Sequence, residues 1–153
     1  MDLNEVFRPA CIDLEMDAKN KEEVLSNLAD LLLKDKAITS TKEYLKAVYK
    51  REAEAPTGIG NLIAIPHGKS SCILKTSVAY ARLKKSIEWE SCDNSPVKYV
   101  FLLAVPEENR NVNQIKLLSH IARILAQDDI LGKLEKLNTV KEVIELFINE
   151  NLD

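Results

Sequence analysis

The sequence predicts an α/β sandwich built on a mixed sheet. Three observations support this. The element order is one strand, two helices, several strands and then helices. Three of the helices open on a recognisable capping box. The run Val97–Val105 is an almost unbroken apolar strand suited to the centre of a sheet. Consecutive strands without intervening crossovers cannot all be parallel, so the sheet must be mixed.

Cys11-Ile12-Asp13-Leu14-Glu15-Met16 alternates apolar and polar residues, as a half-buried strand does. Asn20 and Glu23 have the spacing of a capping box. Val24, Leu25, Leu28, Leu31 and Leu32 then recur at helical spacing, predicting a helix to about Lys34. Ser40 and Glu43 open a second helix, with Tyr44, Leu45 and Val48 inward, reaching Arg51. Pro56 and Gly58 end it. Leu62–Ile65 reads as a short buried strand and Ser77–Leu83 as a second, while Val97–Val105 is closed by Pro106. After a polar loop, Glu107–Asn111, a helix from about Val112 to Gln127 places Ile115, Leu118, Ile121, Ala122 and Leu125 on one face. A shorter helical segment covers Asp128–Leu137. Thr139 and Glu142 cap a last one carrying Val143, Ile144 and Phe147. No repeat, low-complexity run or linker divides the chain, so one domain is expected over 1–153.

Composition narrows the function classes. The 153 residues suffice for a sizeable core, and 46% hydrophobic with 29% charged residues is ordinary for a globular protein. A net charge of -3 gives no electrostatic reason to expect nucleic acid or an anionic membrane as partner. No stretch approaches the roughly 20 apolar residues of a membrane span, and the N-terminus has no signal-peptide pattern. Cys11, Cys72 and Cys92 are odd in number and far apart. They read as reduced, buried or half-buried bystander thiols of an intracellular protein.

The segment 52–68 carries three of the four glycines and one of the two histidines, His67, placed directly after Pro66 at the end of an apolar strand. His120, by contrast, falls opposite Leu118 on the helical wheel, beside Lys116 and Arg123, and is expected on a solvated face. The residues around His67 leave two roles open, a structural hydrogen-bonding imidazole or a presented nucleophile. Metal-ligand spacing, Gly-x-Ser-x-Gly and the phosphate-cradling Gly-x-x-x-x-Gly-Lys-[Ser/Thr] loop are all missing. Imidazole attack on an electrophile such as a phosphoryl group then remains. Arg51, Thr57 and the glycine loop are the candidate donors to its oxygens. Arg51 also suits the negative end of a helix dipole, and Thr57-Gly58-Ile59-Gly60 also suits a plain turn.

Arg51-Glu52, Thr57-Gly58-Ile59-Gly60, Ile63-Ala64-Ile65-Pro66-His67-Gly68, Phe101–Pro106, Leu117-Leu118-Ser119 and Ala122–Leu125 together resemble the enzyme IIA component, fructose/mannitol type, of the phosphoenolpyruvate-dependent sugar phosphotransferase system. The resemblance covers nearly the whole chain. It implies a three-layer α/β/α sandwich with a mixed parallel/antiparallel sheet, and a metal-free, cofactor-free phosphoryl relay. It implies further that His67 takes a phosphoryl group from the carrier protein HPr on Nε2. The group then passes to a cysteine of enzyme IIB, and thence to sugar at the membrane enzyme IIC. Arg51 falls where the family has an arginine beside the phosphohistidine. Many family members carry a second histidine where this chain has Gln114. That residue lies about 40° from the expected apolar stripe, and its amide can donate to a phosphoryl oxygen but brings no charge. The resemblance points to a free-standing cytoplasmic component, with a regulatory, nitrogen-type enzyme IIA as the alternative.

Overall fold

The computed structural model describes residues 2–148. Its elements run α1 (Leu3–Val6), β1 (Ile12–Met16), α2 (Lys21–Lys34), α3 (Thr41–Glu54), β2 (Gly58–Gly60), β3 (Ile63–Ala64), β4 (His67–Ser70), β5 (Ser77–Ile87), β6 (Val97–Pro106), α4 (Arg110–Leu125), α5 (Ile130–Lys136) and α6 (Val140–Ile148). The sheet order is β1-β5-β6-β3-β2, with β4 also on β6. β5 and β6 pair antiparallel, as do β2 and β3; β1 on β5, and β3 and β4 on β6, are parallel. The mixed sheet is therefore as expected.

Side-chain alternation along the two long strands builds the layers. Ala79, Ala81, Leu83, Val100, Leu102 and Ala104 face one core with α2 and α3. Val78, Tyr80, Tyr99, Phe101, Leu103 and Val105 face the other with α1, α4, α5 and α6. Continuous apolar sequence in β6 follows from this burial on both faces. The capping residues are in place: Asn20 Oδ1 accepts from Glu23 N at 2.9 Å, Ser40 Oγ from Glu43 N at 3.1 Å, and Thr139 Oγ1 from Glu142 N at 3.2 Å.

The expected strand Leu62–Ile65 is only the two-residue β3, because the line beside β6 is broken. β3 pairs with Tyr99 and Val100, and β4 resumes opposite Leu103. Between them Pro66 has no N–H to give the ladder, although its carbonyl accepts from Leu103 N at 3.0 Å. Ile65 N turns instead to the Thr57 carbonyl at 2.9 Å. His67 is thus the first residue of a new strand, where the end of an old one was expected.

His120 corrects the sequence reading outright. It is fully buried, and its Nε2–H donates to the Phe147 carbonyl at 2.6 Å, tying α4 to α6. The inward stripe of α4 is Leu117, His120, Ile121, Ile124 and Leu125, whereas Val112 and Ile115 are 61% and 65% exposed. The stripe is turned by about one residue step, roughly 100°, from the one centred on Leu118. Two apolar sets overlap on this helix, and packing against β6 and α6 selects the one that includes the histidine. Cys92 departs too: Cys11 and Cys72 are buried as expected, but Cys92 is exposed. Burial pushes the Cys11 thiol up to about 11, with the Asp35 carboxylate adding to the effect.

The contact of α3 with β4 sets the site. A Cβ built on Gly68 would stand 2.9 Å from Val48 N and 3.1 Å from the Ala47 carbonyl carbon, so helix and strand backbones touch there. Gly68→Ala should lower stability by about 1–3 kcal/mol through this backbone clash, read as a fall in thermal midpoint.

Candidate functional site

His67, at the first position of β4, is half-buried at the floor of a cleft of about 420 Å³. α3 supplies Ala47, Lys50, Arg51 and Glu54 to the cleft walls, β4 supplies Gly68 and Lys69, and Glu107 and Gln114 close it from the segment after β6. Ala47, Lys50, Arg51 and Glu54 fall at i, i+3, i+4 and i+7, one helix face, so the close seating of α3 on Gly68 turns its last two turns toward the imidazole.

The imidazole is oriented by one backbone bond. Its Nδ1 lies 3.1 Å from the Ile65 carbonyl oxygen. A carbonyl can only accept, so Nδ1 carries the proton and Nε2 keeps its lone pair. Burial lowers the pKa of His67 below its ordinary 6.5; the Ile65 carbonyl opposes this, and the Arg51 cation adds to the lowering. The neutral ring, with a nucleophilic Nε2, is accordingly the dominant form near pH 7.

The residues singled out beforehand separate into two groups. Arg51 and Gln114 line the cleft with His67. Arg51 also satisfies the simpler expectation, because its Nη1 donates to the Ala55 carbonyl at the end of α3 at 2.9 Å. Thr57 lies elsewhere. It is buried, its hydroxyl donates to Glu52 Oε1, and it accepts from Trp89 Nε1 at 3.4 Å. Glu52 in turn meets Lys21 Nζ at 2.6 Å.

Lys50, Lys69 and the Ile65 carbonyl were not singled out. A lysine one residue from Arg51 or two from His67 carries no mark in the sequence, and a backbone acceptor leaves no residue signature at all. Among the described residues no group of histidine, cysteine and carboxylate side chains is placed to hold a metal ion, and no helix is long and apolar enough to cross a membrane. Nitrogen-15 NMR titration should place the His67 midpoint below 6.5, and Arg51→Gln should move it upward, because removing the guanidinium favours the imidazolium.

Comparison with known proteins supplies the family. The model for "Phosphoenolpyruvate-dependent sugar phosphotransferase system, EIIA 2" matches residues 5–150. The fructose-specific EIIA component of Haloferax volcanii is 32% identical over 146 residues, 94% of each chain. A nitrogen regulatory protein of Bradyrhizobium diazoefficiens is 35% identical over 138 residues, 88% of this chain and 86% of that one. The fructose-specific EIIABC component of Bacillus subtilis is 29% identical over 151 residues. This is 99% of this chain but only 24% of that longer protein. Among solved structures, the nitrogen regulatory protein IIA-Ntr of Neisseria meningitidis superposes with a TM-score of 0.86 at 26% identity, covering 94% of this chain and 97% of that one. The Escherichia coli mannitol enzyme IIA, solved in complex with phosphorylated enzyme IIB, shares the fold at a TM-score of 0.77 and 23% identity, covering 94% and 97%. A neutral imidazole with a free Nε2, beside an arginine and on this mixed sheet, is thus carried by a chain that belongs to the EIIA 2 family of the phosphoenolpyruvate-dependent sugar phosphotransferase system.

Proposed function

We propose that this chain is a phosphoryl carrier in which His67 accepts the group from phosphorylated HPr and passes it to a cysteine of an enzyme IIB serving a sugar-transporting enzyme IIC. The observation that carries the reading is the Nδ1–Ile65 bond, which reserves the Nε2 lone pair for attack. In the step, Nε2 forms a bond to phosphorus as the donor's N–P bond breaks. The departing electron pair returns to the donor imidazole. The ring of His67 then shares a positive charge with Nδ1–H, which the Ile65 carbonyl faces. Arg51 and Gln114 supply donors to the phosphoryl oxygens, and Lys50 and Lys69 add charge at the rim. The Thr57 hydroxyl is bound to Glu52 behind the cleft. Catalysis is then chiefly positioning and electrostatics.

Both partners must reach His67, and the surface beside it suits docking. Val112 and Ile115 are exposed in the first turns of α4, next to Gln114. Apolar residues among charged ones are the usual composition of a transient interface.

A regulatory role is the second reading, favoured by the 35% identity to a nitrogen regulatory protein. In that case the phosphorylation state of the same histidine would control a protein partner.

With phosphoenolpyruvate, enzyme I and HPr, the protein should gain one acid-labile, base-stable phosphate. His67→Ala should gain none, and Arg51→Gln should slow uptake by about a hundredfold. Because protonation consumes the Nε2 lone pair, uptake should fall as pH drops through the His67 midpoint. Normal labelling of His67→Ala would refute the assignment. Discharge of the labelled protein onto an enzyme IIB cysteine supports transport; retention of the label against every enzyme IIB tried supports regulation.

A further inference from the structure

We infer that Glu52 is the positioning residue of this site, holding His67 in its Nδ1–H tautomer from behind the cleft through Thr57. The inference rests on the phosphoryl-carrier reading above and assigns a task to a group that does not line the cleft.

Glu52 follows Arg51 on the last turn of α3, but its side chain points inward and is only 5% exposed. Both carboxylate oxygens are engaged. Oε2 meets Lys21 Nζ at 2.6 Å, and Oε1 accepts from the Thr57 hydroxyl. Lys21, 13% exposed at the start of α2, is itself braced. It pairs with Glu90 at 2.7 Å and lies 5.0 Å from the centre of the Trp89 ring, whose Nε1 donates to Thr57 Oγ1. Glu52 does not line the cleft, and the imidazole Nδ1 is bound to the Ile65 carbonyl rather than to this carboxylate.

Its influence runs through the backbone of Thr57. The hydroxyl of Thr57 is bound to Glu52, and its carbonyl accepts from Ile65 N at 2.9 Å. The Ile65 carbonyl in turn accepts from His67 Nδ1. One residue therefore links a buried ion pair to Ile65, whose carbonyl fixes the tautomer. The turn between Thr57 and Ile65 is held outside this link by Asn61 N donating to Asp93 Oδ2 at 3.2 Å and by the Leu62 carbonyl accepting from Lys98 N and Tyr99 N. Gly60, Asn61 and Leu62 all have positive φ, at 92°, 54° and 66°. The same ion pair fixes the end of α3, from which Arg51 reaches the cleft. A buried carboxylate stripped of its partner is costly, so the arrangement works as a unit of Lys21, Glu52 and Thr57.

The test reads the ring nitrogens of His67 by nitrogen-15 NMR in the unphosphorylated protein, at a pH above its midpoint. Wild type should show Nδ1 protonated and Nε2 bare. Glu52→Gln, which leaves Lys21 its pairing with Glu90, and Thr57→Val, which leaves the Lys21–Glu52 pair whole, should both shift the ring to a mixture of tautomers. Both should slow phosphoryl uptake from phosphorylated HPr by about ten- to a hundredfold at saturating donor, with the half-saturating donor concentration unchanged. Lys21→Met combined with Glu52→Gln should be no slower than the slower single variant, as expected of groups acting together. Wild-type tautomer ratios in Thr57→Val, or wild-type uptake rates in folded Glu52→Gln, would overturn the inference. The tautomer measurement needs no phosphoryl donor. Failure of wild type to take up phosphate would instead refute the carrier reading and leave the tautomer result standing.

Discussion

Backbone contact between α3 and β4 at Gly68 is the constraint on which the rest of the site depends. Without a Cβ at that position, the helix settles against the strand at Ala47 and Val48. One turn further on, Arg51 then stands over the first residue of β4, which is His67. Tyr44, one turn earlier on α3, is fully buried and donates its hydroxyl to the Leu103 carbonyl at 2.7 Å; Leu103 is the register partner of His67 on β6. Helix, new strand and central strand are locked together at the level of the imidazole, so the geometry of the cleft is set by packing far more than by the loop that precedes it.

The broken strand line contributes the chemistry. An uninterrupted strand from Ile63 to Ser70 would spend the Ile65 carbonyl on its own ladder. Pro66 stops the ladder, and the carbonyl of Ile65 instead accepts the hydrogen bond from His67 Nδ1–H. The sheet thus gives up one stretch of regular pairing beside β6 and gains an oriented imidazole with Nε2 left bare. The half-burial that depresses the His67 pKa comes from the same seating in the sheet.

Much of this was legible in the sequence. Asn20, Ser40 and Thr139 mark helix starts because capping is local chemistry, and β6 declares itself because burial on both faces removes every polar residue from its middle. Gln114 was placed correctly while His120 was not, for one reason. On the wheel of α4, Gln114 lies between the two competing apolar stripes, so it reaches the cleft with either one inward. His120 is on the inner side of only one, and that choice was made by Phe147, 27 residues further along and brought in only when α6 docks. The short strands β2 and β4 were illegible because their pairing is dictated by β6 and by the Thr57–Ile65 bond rather than by residue preference. Thr57 looked like a ligand donor because sequence gives a hydroxyl no direction; the fold aims it at Glu52.

The lining of the cleft has one more consequence. Lys50, Arg51 and Lys69 are cationic, but Glu54 and Glu107 share the same walls, and the end of α3 presents the negative pole of its dipole nearby. A pocket built to retain a phosphoryl dianion would have dispensed with the two carboxylates. Under the carrier role proposed above, that mixture suits a group that is received and passed on: the cations attract it and the carboxylates oppose its retention.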